Sequence, residues 1–190
     1  MNSINKLISI VNDSDIFSDN SSITKLLSIL NNSSATAKNV SDAIELNPPL
    51  ASRVLQLSNS PFFGGNGRIT SIKKAITWIG FTQVKEITLN LSLSNLFTGG
   101  ESIGDYNRKS LWKHSIAAGV MCKQIARKLF RERGDTQYSV GILHDFGFLI
   151  EDYFHHNELV NLLNSNELKK NKLEDLENNV FGFNHIDVTV

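Results

Sequence analysis

Apolar residues return every three or four positions through most of this chain, and stretches in which Val, Ile or Thr alternate with polar residues are sparse. Side chains three and four apart share one face of an α-helix, whereas a half-buried strand repeats every second residue. The pattern therefore predicts an all-α fold, with about ten helices joined by short polar loops. Of the 190 residues 41% are hydrophobic, enough to build a core in one medium domain or two small lobes.

Charge and cysteine usage narrow the function classes. Nineteen Lys and Arg residues balance nineteen Asp and Glu, so no global field draws the protein to nucleic acid or to an anionic membrane, and neither is expected as a partner. Cys122 is the only cysteine, which excludes a disulfide framework and any CxxC metal or redox motif and fits a reducing, intracellular location. The opening MNSINKLISIVNDSD lacks the basic start, apolar stretch and small-residue cleavage site of a secretion signal, and no run of about 18 apolar residues occurs. A soluble, cytoplasmic protein is expected. G-x-x-x-x-G-K-[ST], G-x-G-x-x-G and G-x-S-x-G are all absent, and Gly64-Gly65-Asn66-Gly67 lacks the strand and lysine of a phosphate loop. Nucleotide binding by those modes is disfavoured.

Local signals place the helices. Two amphipathic helices are expected over 3–12 and 22–31, separated by a polar loop, with Ser21 or Ser22 as cap. A third, over 37–46, must stop before Pro48, because proline disfavours helical geometry in the residue ahead of it. Pro48 and Pro49 then suit the first turn of a helix reaching Leu57. Residues 59–67 are turn chemistry carrying two aromatics, after which Ser71 can cap a helix over 72–79 that Gly80 ends. A helix over 83–97 follows. The glycine-containing loop over 98–105 then marks a boundary near residue 104, between an N-terminal lobe (1–104) and a helical bundle (105–190). The Lys-, Glu- and Asn-rich stretch 164–179 reads as a solvated helix face.

The chemistry-bearing residues lie in the bundle. On a helix over 108–131, Lys113, Gln124, Lys128 and Arg131 cluster on one side, and His114 falls on the other with Leu111, Ala118, Met121 and Ile125. An imidazole aimed into the interior needs a hydrogen-bond partner or a metal. A helix over 138–154 is apolar almost all round, its one polar arc formed by His144, Asp145, Glu151 and Asp152. Adjacent imidazole and carboxylate can grip a divalent ion when another helix brings a further histidine, and His114 is the natural third ligand. A hydrogen-bonded core histidine and a surface His-Asp pair remain the plainer alternatives. Gly141 and Gly147 permit close backbone approach. His155 and His156, at a helix end, are expected in solvent or against the dipole rather than on a metal. The stretch Phe181-Gly182-Phe183-Asn184-His185-Ile186-Asp187 reads as a turn entering a helix capped by Asn184.

These motifs fall in a recognisable order: Asn47-Pro48-Pro49-Leu50, then Arg53-Val54-Leu55-Gln56-Leu57-Ser58-Asn59-Ser60, then Ser71-Ile72-Lys73-Lys74-Ala75-Ile76 closing on Ile79-Gly80. Leu111-Trp112-Lys113-His114-Ser115, Gly141-Ile142-Leu143-His144-Asp145-Phe146-Gly147 and Phe181-Gly182-Phe183-Asn184-His185 follow. The set resembles the HDOD family, relatives of HD-type metal-dependent phosphohydrolases that serve as regulatory domains in bacterial signalling, and it spans most of the chain. The resemblance implies an HD-domain-like helical bundle with an additional N-terminal lobe, protein partners in a signalling pathway, and no catalytic residue. In active relatives His114 and the His144-Asp145 pair would match metal ligands, and an aspartate on a later helix would complete the set. Asp187 sits just beyond His185, where HD-GYP relatives have a histidine ligand, so it does not take that role. Where HD enzymes commonly read His-Asp-x-Gly-Lys, this sequence ends the motif on Phe148, placed by the helical wheel inside the polar arc. The resemblance thus implies a remnant metal site at His114, His144 and Asp145, with His185 a weaker fourth. No cofactor is required, and Mn, Fe, Zn or Mg are the ions such residues can take. The competing expectation is a metal-dependent phosphohydrolase of nucleotides or cyclic dinucleotides using the same ligands and a bound water.

Overall fold

In a computed structural model the described residues are 34–104 and 106–189, together with Leu7, Leu26, Ser28, Ile29 and Asn32. The helices expected over 3–12 and 22–31, with their loop and caps, lie for the most part outside the described residues. The remaining elements are α1 (Ala37–Glu45), α2 (Pro48–Ser58), α3 (Ile72–Ile79), α4 (Phe81–Ser94), α5 (Arg108–Ile125), α6 (Asp135–Leu143), α7 (Phe146–Phe154), α8 (His156–Leu163), α9 (Leu173–Phe181) and α10 (His185–Thr189). Short 3-10 turns at Asn95–Phe97 and Asn166–Lys169 and a π-turn at Ala126–Phe130 complete the set. The fold is all-helical, with no strand among the described residues beyond a single bridge between Ile103 and Tyr106. None of the described helices is long and apolar enough to cross a membrane.

Among the described residues, those from Leu26 to Leu96 form one compact unit, and Leu7 with those from Phe97 to Thr189 forms the other. The division falls after Leu96 and not near 104, because Phe97 packs its ring on Trp112 and Phe146, 4.9 and 6.3 Å away between centroids.

In the first unit side-chain caps set the helix starts, at Ser71 as read and at Thr36 and Asn47 in addition. Thr36 accepts from the Asn39 amide while Asn39 Oδ1 accepts from the Thr36 amide, a capping box. Asn47 caps α2 ahead of Pro48, and Ser71 caps α3. Gly80, with φ of 92°, ends α3 and turns the chain into α4. Val40, Ile44, Val54, Ile72, Ala75 and Val84 form the fully buried core. Asn59 holds the aromatic turn against α2, its Nδ2 donating to the carbonyls of Leu55 and Ile69 and its Oδ1 accepting from the Ile69 amide.

The second unit corrects two expectations. The helix over 108–131 forms, with its last turn widened into the π-turn, but its buried face is Ser115, Gly119, Lys123 and Ala126. Met121 and Ile125 are 60% and 45% exposed, and His114 lies on the surface with them rather than in the interior. The reason is close helix packing. A Cβ on Gly141 of α6 would lie 2.7 Å from the Gly119 Cα of α5, so small side chains, not the most apolar stripe, face the neighbouring helix. The continuous helix over 138–154 is instead two helices, α6 and α7, meeting at His144 and Asp145.

Candidate metal centre

The break between α6 and α7 matters because neighbouring residues on an unbroken helix diverge by about 100°. His144 closes α6, and Asp145, at φ −107° and ψ 18°, leaves helical geometry before α7 begins. Both side chains then converge on His114 of α5. His114 Nε2 lies 3.1 Å from His144 Nε2 and 3.1 Å from Asp145 Oδ2, and His144 Nε2 lies 3.1 Å from the same carboxylate oxygen. A divalent ion about 2.1 Å from each of three donors holds them about 3.0–3.4 Å apart, the range from right-angled to tetrahedral coordination. The equilateral triangle fits such an ion.

Protonation is arranged to match. His144 Nδ1 lies 2.9 Å from the Gly141 carbonyl oxygen, which can only accept, so Nδ1 carries a proton and Nε2 is the ring nitrogen left to ligate at the triangle. The side chains of His114, His144 and Asp145 are 58%, 38% and 25% exposed, which leaves the triangle open to water on one side.

His185, the fourth ligand expected from the sequence, is not brought to the triangle. Its Nδ1 and its backbone N–H both face Glu177 Oε2, at 2.6 and 3.2 Å. Asp187 accepts from Asn184 Nδ2 at 2.8 Å, within the turn that starts α10. Phe148 is also displaced from the arc the wheel assigned it. It is buried against the rings of Tyr106 and His185 and packs with Ile103 and Leu159. His156 pairs with Asp152 at 2.6 Å and His155 packs beside Phe181 and Phe183, so neither joins a metal-type cluster among the described residues.

Glu151 and Asp152, read as polar-arc residues, are fully buried. Asp152 anchors the start of α5 to α7: one of its oxygens accepts from Arg108 Nε at 2.6 Å and from the Tyr106 hydroxyl at 2.8 Å, and the other faces His156 Nδ1. The Arg108 guanidinium also lies 3.7 Å from the centre of the Tyr153 ring. Burial by itself would raise the Asp152 carboxyl, but the hydrogen bonds from Arg108, His156 and Tyr106 outweigh it and hold the group below the usual range.

Glu151, Glu177 and His185 form a second cluster that sequence reading missed. The adjacent acids Glu151 and Asp152 inside the otherwise apolar helix 146–154 were the available signal, since a buried carboxyl demands a partner. Burial, followed by the charge of Glu177, pushes Glu151 from its ordinary 4.5 up to about 9. The hydrogen bond that His185 Nδ1 donates to the Glu177 carboxylate raises His185 despite the opposing effect of burial. The folded chain therefore holds a proton on Glu151 that the unfolded chain releases above 4.5, and stability declines as pH rises between 4.5 and about 9. Glu151→Gln, which keeps a neutral donor there, is expected to flatten that decline and raise the melting temperature of chelator-treated protein at pH 8 while changing little at pH 4. Parallel melting curves of variant and parent at both pH values check this.

Comparison with known proteins adds the lineage. The sequence model of the HDOD domain matches residues 16–190. The uncharacterized protein YuxH of Bacillus subtilis is 26% identical over 132 residues, covering 70% of this chain and 30% of its own length. An HDOD domain protein of unknown function from Geobacter sulfurreducens superposes with a TM-score of 0.71 at 26% identity, over 88% of this chain and 56% of that one. A provisionally named phosphohydrolase from Shewanella amazonensis shares the fold at 18% identity, with a TM-score of 0.68 over 88% of this chain and 58% of its own. The chain thus spans under a third of YuxH and little more than half of the Geobacter protein.

Proposed function

Because this chain belongs to the HDOD family, we propose that it is a non-catalytic regulatory module of bacterial signalling, one that binds a protein partner and holds a divalent cation at His114, His144 and Asp145 without turning over a phosphoester. The observation that carries this reading is that only His114, His144 and Asp145 meet at this point among the described residues. Asp187 is held by Asn184 and His185 faces Glu177, so neither late residue completes the coordination an HD-type hydrolase is expected to use. The exposed apolar residues Met121, Ile125 and Leu129, spaced four apart along one flank of α5 and its π-turn, support a surface that meets a partner.

The three side chains fit a cation by geometry and by chemistry. Two neutral imidazole nitrogens and one carboxylate suit Mn, Fe or Zn, and the Gly141 carbonyl fixes the tautomer of His144. When bound, the ion would supply Lewis acidity to a coordinated water. Asp145 would offset part of its charge, and His114 would tie it to α5.

Metal binding is tested locally by adding Mn2+ to chelator-stripped protein and following the broadening of the His114 and His144 ring resonances. The parent is expected to show saturable broadening, and Asp145→Ala to shift its midpoint by about a hundredfold. Equal broadening in parent and variant contradicts metal holding at the triad. A second reading, hydrolysis of a nucleotide or cyclic dinucleotide, is favoured by one feature, the open side of the triangle, since catalytic metal sites keep a free position.

A further inference from the structure

Glu151 on α7, Glu177 on α9 and His185 at the start of α10 place one donor atom each within 4.8 Å of one another, apart from the exposed triad. We propose that these three side chains form a second, closed site for a divalent cation of the zinc or manganese type. Both glutamate side chains are fully buried. With both carboxylates ionised, neither oxygen of Glu151 nor Oε1 of Glu177 has a donor among the described residues. Something positive must sit between two such groups. A single shared proton lets Glu151 donate to Glu177 but leaves another oxygen of the pair bare. A divalent cation satisfies the orphaned oxygens together, and its two charges match the two carboxylates while the imidazole stays neutral.

The donor set selects the ion. One imidazole nitrogen with two carboxylates is borderline in softness, suited to Zn2+, Mn2+ or Fe2+, whereas Mg2+ and Ca2+ call for oxygen shells and Mg2+ for several waters. Burial leaves little room for coordinated water, so this is a structural site, in contrast to the open triad. It bridges α7, α9 and α10, and so fastens the last described helix to the bundle. As the cation inserts, the 2.6 Å contact between His185 Nδ1 and Glu177 opens, and the protons held by the imidazole and the carboxyl pair are released. None of this depends on the triad holding a metal.

The experiment removes the triad first. Chelator-stripped His144→Ala/Asp145→Ala protein is titrated with Zn2+ by calorimetry in two buffers of different ionisation enthalpy. The expected result is one equivalent of Zn2+, release of protons, and a melting temperature raised by several degrees. Adding Glu151→Gln, which retains an N–H for Glu177, is expected to weaken binding by about a hundredfold with the fold kept. Failure of the triad-free protein to bind Zn2+, or equal binding after Glu151→Gln, overturns the proposal. Should the triple variant not fold, crystals of the double variant soaked in Zn2+ decide the matter: an anomalous peak between the three donors supports the site, and its absence overturns it.

Discussion

Arg108→Ala is expected to destabilise the protein by about 3–5 kcal/mol, because it removes one partner of a buried ion pair and leaves the other charged. Asp152 has no exposed surface to rehydrate it. Only the Tyr106 hydroxyl and His156 would remain on its oxygens. The loss includes packing as well as charge, since the guanidinium covers the Tyr153 ring. Arg108→Lys is expected to recover part of the loss but not the ring contact, an ammonium being a point charge where a planar guanidinium stacks. Acid dependence separates charge from packing. Because the folded Asp152 sits below its unfolded value, its contribution is present above the unfolded pKa of about 4 and is lost as pH falls through the folded value. Denaturant unfolding at pH 7 and near pH 2 should therefore show a large difference between parent and Arg108→Ala at pH 7 and a smaller one in acid. A difference of the same size at both pH values would assign the effect to packing alone.

The second large effect is expected from Gly147→Ala. A Cβ at this position would stand 1.9 Å from the His185 carbonyl oxygen and 2.8 Å from its carbonyl carbon, both backbone atoms that no rotamer change can move aside. The Gly147 amide donates to the Thr189 hydroxyl at 2.9 Å, and that hydroxyl donates to the His185 carbonyl at 2.8 Å. The methyl group therefore forces α10 off α7 and breaks both bonds, for about 3 kcal/mol or more. Because the damage lies between α7 and α10, hydrogen exchange should report it there. Protection of 185–189 is expected to fall while that of the α5–α6 pair stays near the parent level. Uniform loss across the second unit would contradict so local a role for Gly147.

How far the sequence announced this structure depends on the range of the forces involved. Capping and turn chemistry act over three or four residues, so Ser71, Gly80 and the Pro48-Pro49 pair marked their helices almost to the residue. The triad was legible for a different reason: His114 and His144-Asp145 stand in motifs whose order resembles a known family. Their environment was misread. On a helical wheel His114 shares the most apolar stripe of α5, whereas the approach of Gly119 to Gly141 selects the small-residue face for burial. A wheel drawn across 138–154 could not show the break at Asp145, and so it set Phe148, Glu151 and Asp152 beside the His-Asp pair. The partners of Glu151, Asp152 and His185 come from Glu177, Arg108 and Tyr106, brought together by tertiary packing that leaves no trace in local periodicity.

Metal-reconstituted protein offers the decisive assay. Loaded with Mn2+ or Zn2+ and given bis(p-nitrophenyl) phosphate or a cyclic dinucleotide, a non-catalytic module should release product no faster than the equally loaded Asp145→Ala variant. Turnover that requires Asp145 and the metal, and vanishes in that variant, would make the chain a phosphohydrolase and contradict the regulatory reading.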